Sequence, residues 1–153
     1  MWTVEPMTAA DAAAVAALER TCFAHPWSKD AVAAELENPA AVFLVAKTKS
    51  GKIGGYVGML CAADEGAITN VAVLPHCRRK GCADALLTAL CARAAGLCRI
   101  ALEVRVSNTA AIALYEKHGF LKVGVRPRFY RTPTEDAYIM IRERRVEDVH
   151  TGN

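Results

Sequence analysis

At 153 residues and 16.4 kDa, the chain has the length of one ordinary domain, and 53% hydrophobic with 23% charged residues excludes wholesale disorder and low complexity. Nineteen Lys and Arg against sixteen Asp and Glu leave a formal charge of +3. That balance is too mild for a nucleic-acid-coating protein, yet it suits a local patch for an anionic ligand.

The chain opens on Trp2-Thr3-Val4-Glu5, a short predicted strand ended by Pro6. Thr8 and Asp11 mark a helix start, and Ala9 to Cys22 is rich in strong helix formers. Its alanine-rich part, Ala9 to Leu18, is broken by Asp11 and followed by Glu19-Arg20. Lacking the charged start of a signal peptide, it is expected to be mature helix in a cytoplasmic protein. No run approaches the roughly 20 apolar residues that span a bilayer, so no membrane partner is expected. His25-Pro26-Trp27-Ser28 is a loop, with Ser28 as N-cap of a helix from Lys29 to Glu37 that Asn38-Pro39 stops.

Three strands follow, Ala41 to Thr48, Ile53 to Cys61 and Ala67 to Leu74, joined by the turns Lys49-Ser50-Gly51-Lys52 and Asp64-Glu65-Gly66. Such tight connections predict an antiparallel meander. After Pro75 the period changes: Leu86, Leu87, Leu90 and Ala94 recur at helical spacing from Cys82 to Ala95, and Gly96 closes the run. Arg99 to Val106 alternates, with Ile100, Leu102, Val104 and Val106 on one face and Ala101, Glu103 and Arg105 on the other. Ser107-Asn108 caps a helix to His118, stopped by Gly119, and strands near Leu121 to Tyr130 and Ala137 to Arg144 complete the chain. The order β-α-α-β-β-β-α-β-α-β-β implies a mixed sheet with helices on its faces, as a single domain over residues 1–144 with a polar tail from Arg145 to Asn153.

Two places carry candidate chemistry. From Val71-Ala72-Val73 the chain runs through Leu74-Pro75-His76-Cys77 into Arg78-Arg79-Lys80-Gly81 and then Cys82-Ala83. A strand end, a basic loop with one glycine and a helix start together suit an anion, because unpaired N–H groups and the positive helix end converge there. The plain alternative is a solvated basic turn; neither a Walker loop nor a dinucleotide fingerprint is present. The second place is Glu103, a carboxylate in mid-strand where Glu is depleted and costly to bury unpaired. It reads either as a functional acid–base group or as a surface residue paired with Arg105 or a neighbouring strand. Tyr115, two helical turns after Asn108, reads by default as a packed aromatic.

The six cysteines have no C-x2-C spacing, and no two histidines lie close enough to complete a metal site. Free thiols in a reducing compartment and no metal are expected.

Taken together, Arg78-x-x-Gly81-x-Ala83 after a strand, Leu102-Glu103-Val104, and the run Ser107-Asn108 to Ala113-Leu114-Tyr115-Glu116-Lys117-His118-Gly119-Phe120 resemble the GNAT superfamily of acyl-CoA N-acetyltransferases. The likeness spans about residues 1–142, takes in His25-Pro26-Trp27-Ser28, and is nearest to the RimI-like branch, which acetylates the N-terminal alanine of a small-subunit ribosomal protein. It implies a GNAT fold, a seven-stranded, mostly antiparallel sheet with about four helices. It also implies acetyl-CoA as co-substrate and a ribosomal protein N-terminus as acceptor, with no direct role for nucleic acid. The resemblance places the pyrophosphate on Arg78, Arg79, Lys80, Gly81, Cys82, Ala83 and Asp84. It places the pantetheine arm on the backbone of Val71, Ala72 and Val73, with Asn108 also meeting the cofactor. Glu103 corresponds to the general base and Tyr115 to the general acid, while Pro26, Trp27 and Tyr130 border the peptide.

Three positions depart from the family pattern. Ala83 replaces a common glycine, Asp84 stands where a basic residue is frequent, and Arg131 where a second tyrosine is common, in a shortened Phe129-Tyr130-Arg131-Thr132-Pro133 segment. The resemblance is compatible with other acceptors, another protein N-terminus or a small amine, and with a non-catalytic CoA-binding regulator. Cys77 beside His76, together with Cys82, also raises a ping-pong route through a thiol.

Overall fold

The computed structural model describes residues 1–144; the polar tail expected from Arg145 on lies outside the described residues. Seven strands appear among these residues: β1 (Thr3–Pro6), β2 (Ala41–Lys47), β3 (Ile53–Ala62), β4 (Glu65–Val73), β5 (Arg99–Arg105), β6 (Leu121–Arg131) and β7 (Thr134–Glu143). Four helices accompany them, α1 (Ala12–Cys22), α2 (Lys29–Leu36), α3 (Cys82–Arg93) and α4 (Thr109–Lys117). The hydrogen-bonded strand order is β1-β2-β3-β4-β5-β7-β6. β4 and β5 run parallel, while β1–β2, β2–β3, β5–β7 and β6–β7 are antiparallel. The expected mixed sheet and chain order are therefore present.

The differences lie at the ends of elements. The first predicted helix starts as a 3-10 turn, Ala9–Asp11, because the Thr8 N–H donates to the Asp11 carboxylate at 2.9 Å and folds the entry tightly. A second 3-10 turn, Pro75–Cys77, stands between β4 and the basic loop. β4 begins at Glu65, inside the predicted turn, and α3 ends at Arg93, before Gly96. Val106 lies beyond β5 and is half-buried, so the apolar face of that strand is Ile100, Leu102 and Val104.

The chain divides into two compact units. The first comprises Met1–Cys61 with Thr69–Ala92, and the second Ala62–Ile68 with the described residues from Arg93 to Arg144. In the first, Val15 and Leu18 of α1, Val32 of α2, Phe43 and Val45 of β2, Tyr56 of β3 and Ala72 of β4 form one core. Leu86, Leu87 and Leu90 make the buried stripe of α3. In the second, Tyr115 packs edge-on against Phe120, centroids 5.9 Å apart. Ile100, Leu102, Val104, Ile112 and Met140 are also buried there. Among the described residues no helix is long and apolar enough to cross a membrane.

Candidate active site

The basic loop of the first unit is a built structure rather than a loose turn. Gly81 has φ +80° and Arg79 φ +63°, so the chain reverses through left-handed conformations just before α3. A Cβ on Gly81 would meet nothing within 4 Å, which leaves its backbone open to a ligand. The Trp2 indole N–H donates to the Lys80 carbonyl at 2.9 Å. The Ala85 N–H closes the first helical turn onto Gly81 at 3.0 Å. The N–H groups of Cys82 and Ala83 therefore stand in the first turn of α3, beside exposed Arg79 and Lys80.

Arg78 behaves differently from its neighbours. Its guanidinium folds back, with Nε donating to the Val73 carbonyl at 3.0 Å and Nη2 reaching the Cys22 Sγ at 3.8 Å. The Cys22 thiol also donates to the Val73 carbonyl, at 3.5 Å, so that oxygen is fully engaged. Ala72 is turned the other way. Its carbonyl lies against Gly55, where a Cβ would come within 2.8 Å, and the Leu74 N–H donates to Gly54 O at 2.9 Å. Since backbone groups alternate along a strand, the peptide groups of Ala72 face β3 while those of Val71 and Val73 face away. Of the three residues expected to meet a pantetheine arm, Val71 and Val73 thus direct their peptide groups away from β3 and Ala72 directs its own toward it.

A feature that sequence reasoning missed lies in the same unit. Glu19 of α1 is 1% exposed, yet it is a carboxylate near the end of a helix, where the dipole opposes negative charge. Three donors satisfy it: the Trp27 N–H at 2.9 Å, the Tyr56 hydroxyl, and the Asn70 side-chain amide at 3.4 Å. Burial first, then the bond to Glu19, push the Tyr56 phenol far above its usual range, so it remains a donor. The available signal was Glu19 itself, a charged residue within a run otherwise rich in Ala, Val and Leu.

In the second unit Glu103 sits mid-strand on β5, opposite Ile139 of β7. Its side chain is 30% exposed, and its Oε2 lies 3.4 Å from Arg126 Nε. Arg105 is not its partner. That guanidinium bonds Glu135 at 3.2 Å and the Pro133 and Thr132 carbonyls at 2.9 and 3.1 Å, and lies over the Tyr130 ring at 4.3 Å. Glu135 in turn accepts the Ser107 N–H at 2.8 Å, steadying the entry to α4. Asn108 caps that helix, accepting the Ala111 N–H at 3.2 Å through its side chain.

Tyr115 is buried, and that burial pushes its phenol up to about 12, with a smaller contribution from Tyr130. Tyr130, half-buried, is raised mainly by burial; Arg105 pulls it down, while Glu103 and Glu135 push it up. Tyr130 is thus close enough to feel the Glu103 charge, and Tyr115 in turn feels Tyr130, all three lying in the second unit.

Burial stands against the cysteine route. Cys77 and Cys82 are both buried, and burial, with a smaller contribution from Cys77, pushes the Cys82 thiol up to about 12, leaving almost no thiolate at neutral pH. All six cysteines are unbridged thiols. Among the described residues no three His, Cys, Asp or Glu side chains gather as a metal centre would need.

Comparison with known proteins follows the same lines. The profile of the acetyltransferase (GNAT) family matches residues 12–120. An Escherichia coli (strain K12) protein named ribosomal protein bS18-alanine N-acetyltransferase is 35% identical over 144 residues, 92% of this chain and 96% of its own. A Bacillus subtilis (strain 168) protein bearing the same name in provisional form is 39% identical over 130 residues, 80% of this chain and 83% of its own. The crystal structure of the ribosomal-protein-S18-alanine N-acetyltransferase from Escherichia coli superposes with a TM-score of 0.84 at 32% identity, covering 94% of each chain. With the basic loop before α3, the mid-strand carboxylate and these matches in hand, the chain belongs to the acetyltransferase (GNAT) family.

Proposed function

We propose that the chain transfers acetyl from acetyl-CoA directly to the N-terminal α-amine of a ribosomal protein, alanine being the first residue. The observation that carries this reading is the half-exposed carboxylate of Glu103 in mid-strand on β5, with buried Tyr115 in the same unit, in a chain whose relatives are named for this reaction. Acetyl-CoA supplies the acyl group as a thioester. The N–H groups of Cys82 and Ala83, with Arg79 and Lys80, hold its pyrophosphate, and the Val71 and Val73 N–H groups hold the pantetheine arm. Arg78 acts by shaping the loop, since its guanidinium is spent on Val73 and Cys22. Asn108 serves at the head of α4, where its side chain also caps the helix.

Glu103 accepts the proton of the attacking amine, directly or through a water. An α-amine with pKa about 7.7–8.0 is roughly one-tenth neutral at pH 7, whereas a lysine near 10.4 is neutral only about 0.04% of the time. A weak carboxylate base is thus matched to an α-amine. Tyr115, with its phenol near 12 against about 8.5 for a thiol, would lose roughly 5 kcal/mol in full proton transfer to a departing thiolate. It therefore donates a hydrogen bond to the leaving sulfur and keeps its proton. Pro26, Trp27 and Tyr130 border the acceptor peptide, and such an acceptor places the enzyme in the cytoplasm.

The test is a mass assay of acetylation on an alanine-starting ribosomal peptide, with spermidine and a free lysine peptide alongside. Acetylation of the α-amine alone, lost in Glu103→Gln with CoA binding intact, supports the reading. Preference for spermidine makes it a small-amine enzyme, and tight CoA binding with no product on any acceptor makes it a regulator.

A further inference from the structure

Resting on the reading above, we infer that Glu19 is a positioning residue for the peptide acceptor. Its buried carboxylate pins the Phe23–Ser28 connection between α1 and α2, and through it Pro26 and Trp27, in the conformation that receives the first residues of the peptide.

This connection is mostly exposed, with Phe23 at 37%; Ala24, His25, Pro26 and Ser28 are exposed as well, and Trp27 alone is half-buried. Its two ends are anchored by ordinary helix chemistry: the Phe23 N–H bonds Glu19 O at 2.9 Å, and Ser28 Oγ accepts the Ala31 N–H at 3.1 Å. Between them the Trp27 N–H reaches Glu19 Oε1 at 2.9 Å.

A closed circuit results. Glu19 holds Trp27 by hydrogen bond, the Trp27 ring meets Phe43 edge-on at 6.4 Å, Phe43 stacks with Tyr56 at 6.5 Å, and the Tyr56 hydroxyl returns to Glu19. α1, the connection, β2 and β3 are thereby tied at one carboxylate, and the Asn70 amide adds β4.

Packing alone does not account for the acid. An apolar side chain of similar size would fill the space at lower desolvation cost, but would leave the buried Tyr56 hydroxyl and the part-buried Trp27 N–H without their acceptor. The carboxylate, with four lone-pair directions, can serve three donors from separate segments at once. A binding loop held in its bound shape loses less entropy when the ligand arrives, so the gain falls on acceptor affinity.

The test combines amide exchange with kinetics on full-length protein. In the wild type, the Trp27 amide is expected to exchange at least about tenfold more slowly than those of Ala24 and His25, as a hydrogen bond to a buried carboxylate requires. Glu19→Leu is expected to speed exchange across residues 23–28. It should raise the KM for an alanine-starting peptide about tenfold, with kcat at saturating peptide and the KM for acetyl-CoA within about twofold. Glu19→Gln keeps an acceptor for the Trp27 N–H, and the Tyr56 hydroxyl can turn to accept from the new amide, so its peptide KM should stay within about threefold of wild type. Tyr56→Phe removes the opposite side of the circuit but leaves the Trp27 bond; it should lower stability and spare the peptide KM.

Fast exchange at Trp27 in the wild type overturns the inference whether or not any variant folds. So does an unchanged peptide KM in a folded Glu19→Leu, or a rise in Tyr56→Phe equal to that in Glu19→Leu. If the wild type shows a slow Trp27 amide yet acetylates no peptide, the proposed function falls and takes this acceptor role with it, and the exchange data separate that failure from loss of the pin.

Discussion

Two glutamates, one in each unit, receive opposite treatment from the fold. Glu19 is 1% exposed and its oxygens serve a tryptophan N–H, a tyrosine hydroxyl and an asparagine amide. Glu103 has a side chain 30% exposed and a single guanidinium at 3.4 Å, Arg126, which is itself 55% exposed. A carboxylate saturated by buried donors holds structure and has little capacity left for a substrate proton. A half-exposed one beside a loosely held, solvated partner can take a proton and return it to solvent. The same side chain thus becomes a strut or a base according to how many donors surround it.

The sharpest way to break this contrast is Glu103→Gln. If Glu103 is the base, kcat should fall by about two to four orders of magnitude, with acetyl-CoA binding unchanged by calorimetry and the melting temperature nearly so. Glu19→Leu should show the reverse pattern in stability, losing about 3 kcal/mol in urea unfolding as buried donors go unpaired. Tyr115→Phe comes next, with a drop in kcat of about 10- to 100-fold for one lost hydrogen bond to the leaving sulfur.

Because burial holds the Tyr115 phenol near 12, its neutral form is the populated one throughout the working range. No alkaline loss of activity assignable to this residue should therefore appear below about pH 11.

Gly81→Ala tests the loop before α3. With nothing within 4 Å of the added Cβ and φ at +80°, its cost is backbone strain alone, about 1 kcal/mol, read as a raised KM for acetyl-CoA and a small loss in melting temperature. Arg126→Ala should do least. An exposed pair of this kind contributes about 0–1 kcal/mol, so kcat and the melting temperature should barely move, and a large fall in kcat would show that Glu103 depends on its partner more than the geometry indicates.

Much of the architecture is legible in the sequence. The alternation of Ile100, Leu102 and Val104 against Glu103 placed that carboxylate on the half-exposed face of β5, and the structure keeps it there. Ser28 and Asn108 were readable as caps because a short polar side chain before an apolar helical period has one ordinary use; both accept the N–H three residues on. The spacing from Arg78 to Ala83 marked a basic turn before a helix, and the structure has one there, with Gly81 and Arg79 at positive φ.

The functions of single atoms within that frame were not legible. Arg78 belongs to a basic run, but only the folded chain shows its guanidinium spent on the Val73 carbonyl. Ala72 sits between two valines in an apolar strand, and nothing in its neighbours tells which edge its peptide groups face. Glu103 was open to pairing with Arg105, two residues away on the same face; the structure gives Arg105 to Glu135 and supplies Arg126 from β6.

Local pattern determined the elements, their order and the positions of the polar residues, because helix and strand periods are set by neighbours within a few residues. Tertiary structure alone decided which polar groups are spent and which remain available. Hydrogen-bond saturation joins partners far apart in the chain, Glu19 with Tyr56 and Asn70, and such pairings leave no trace in sequence spacing.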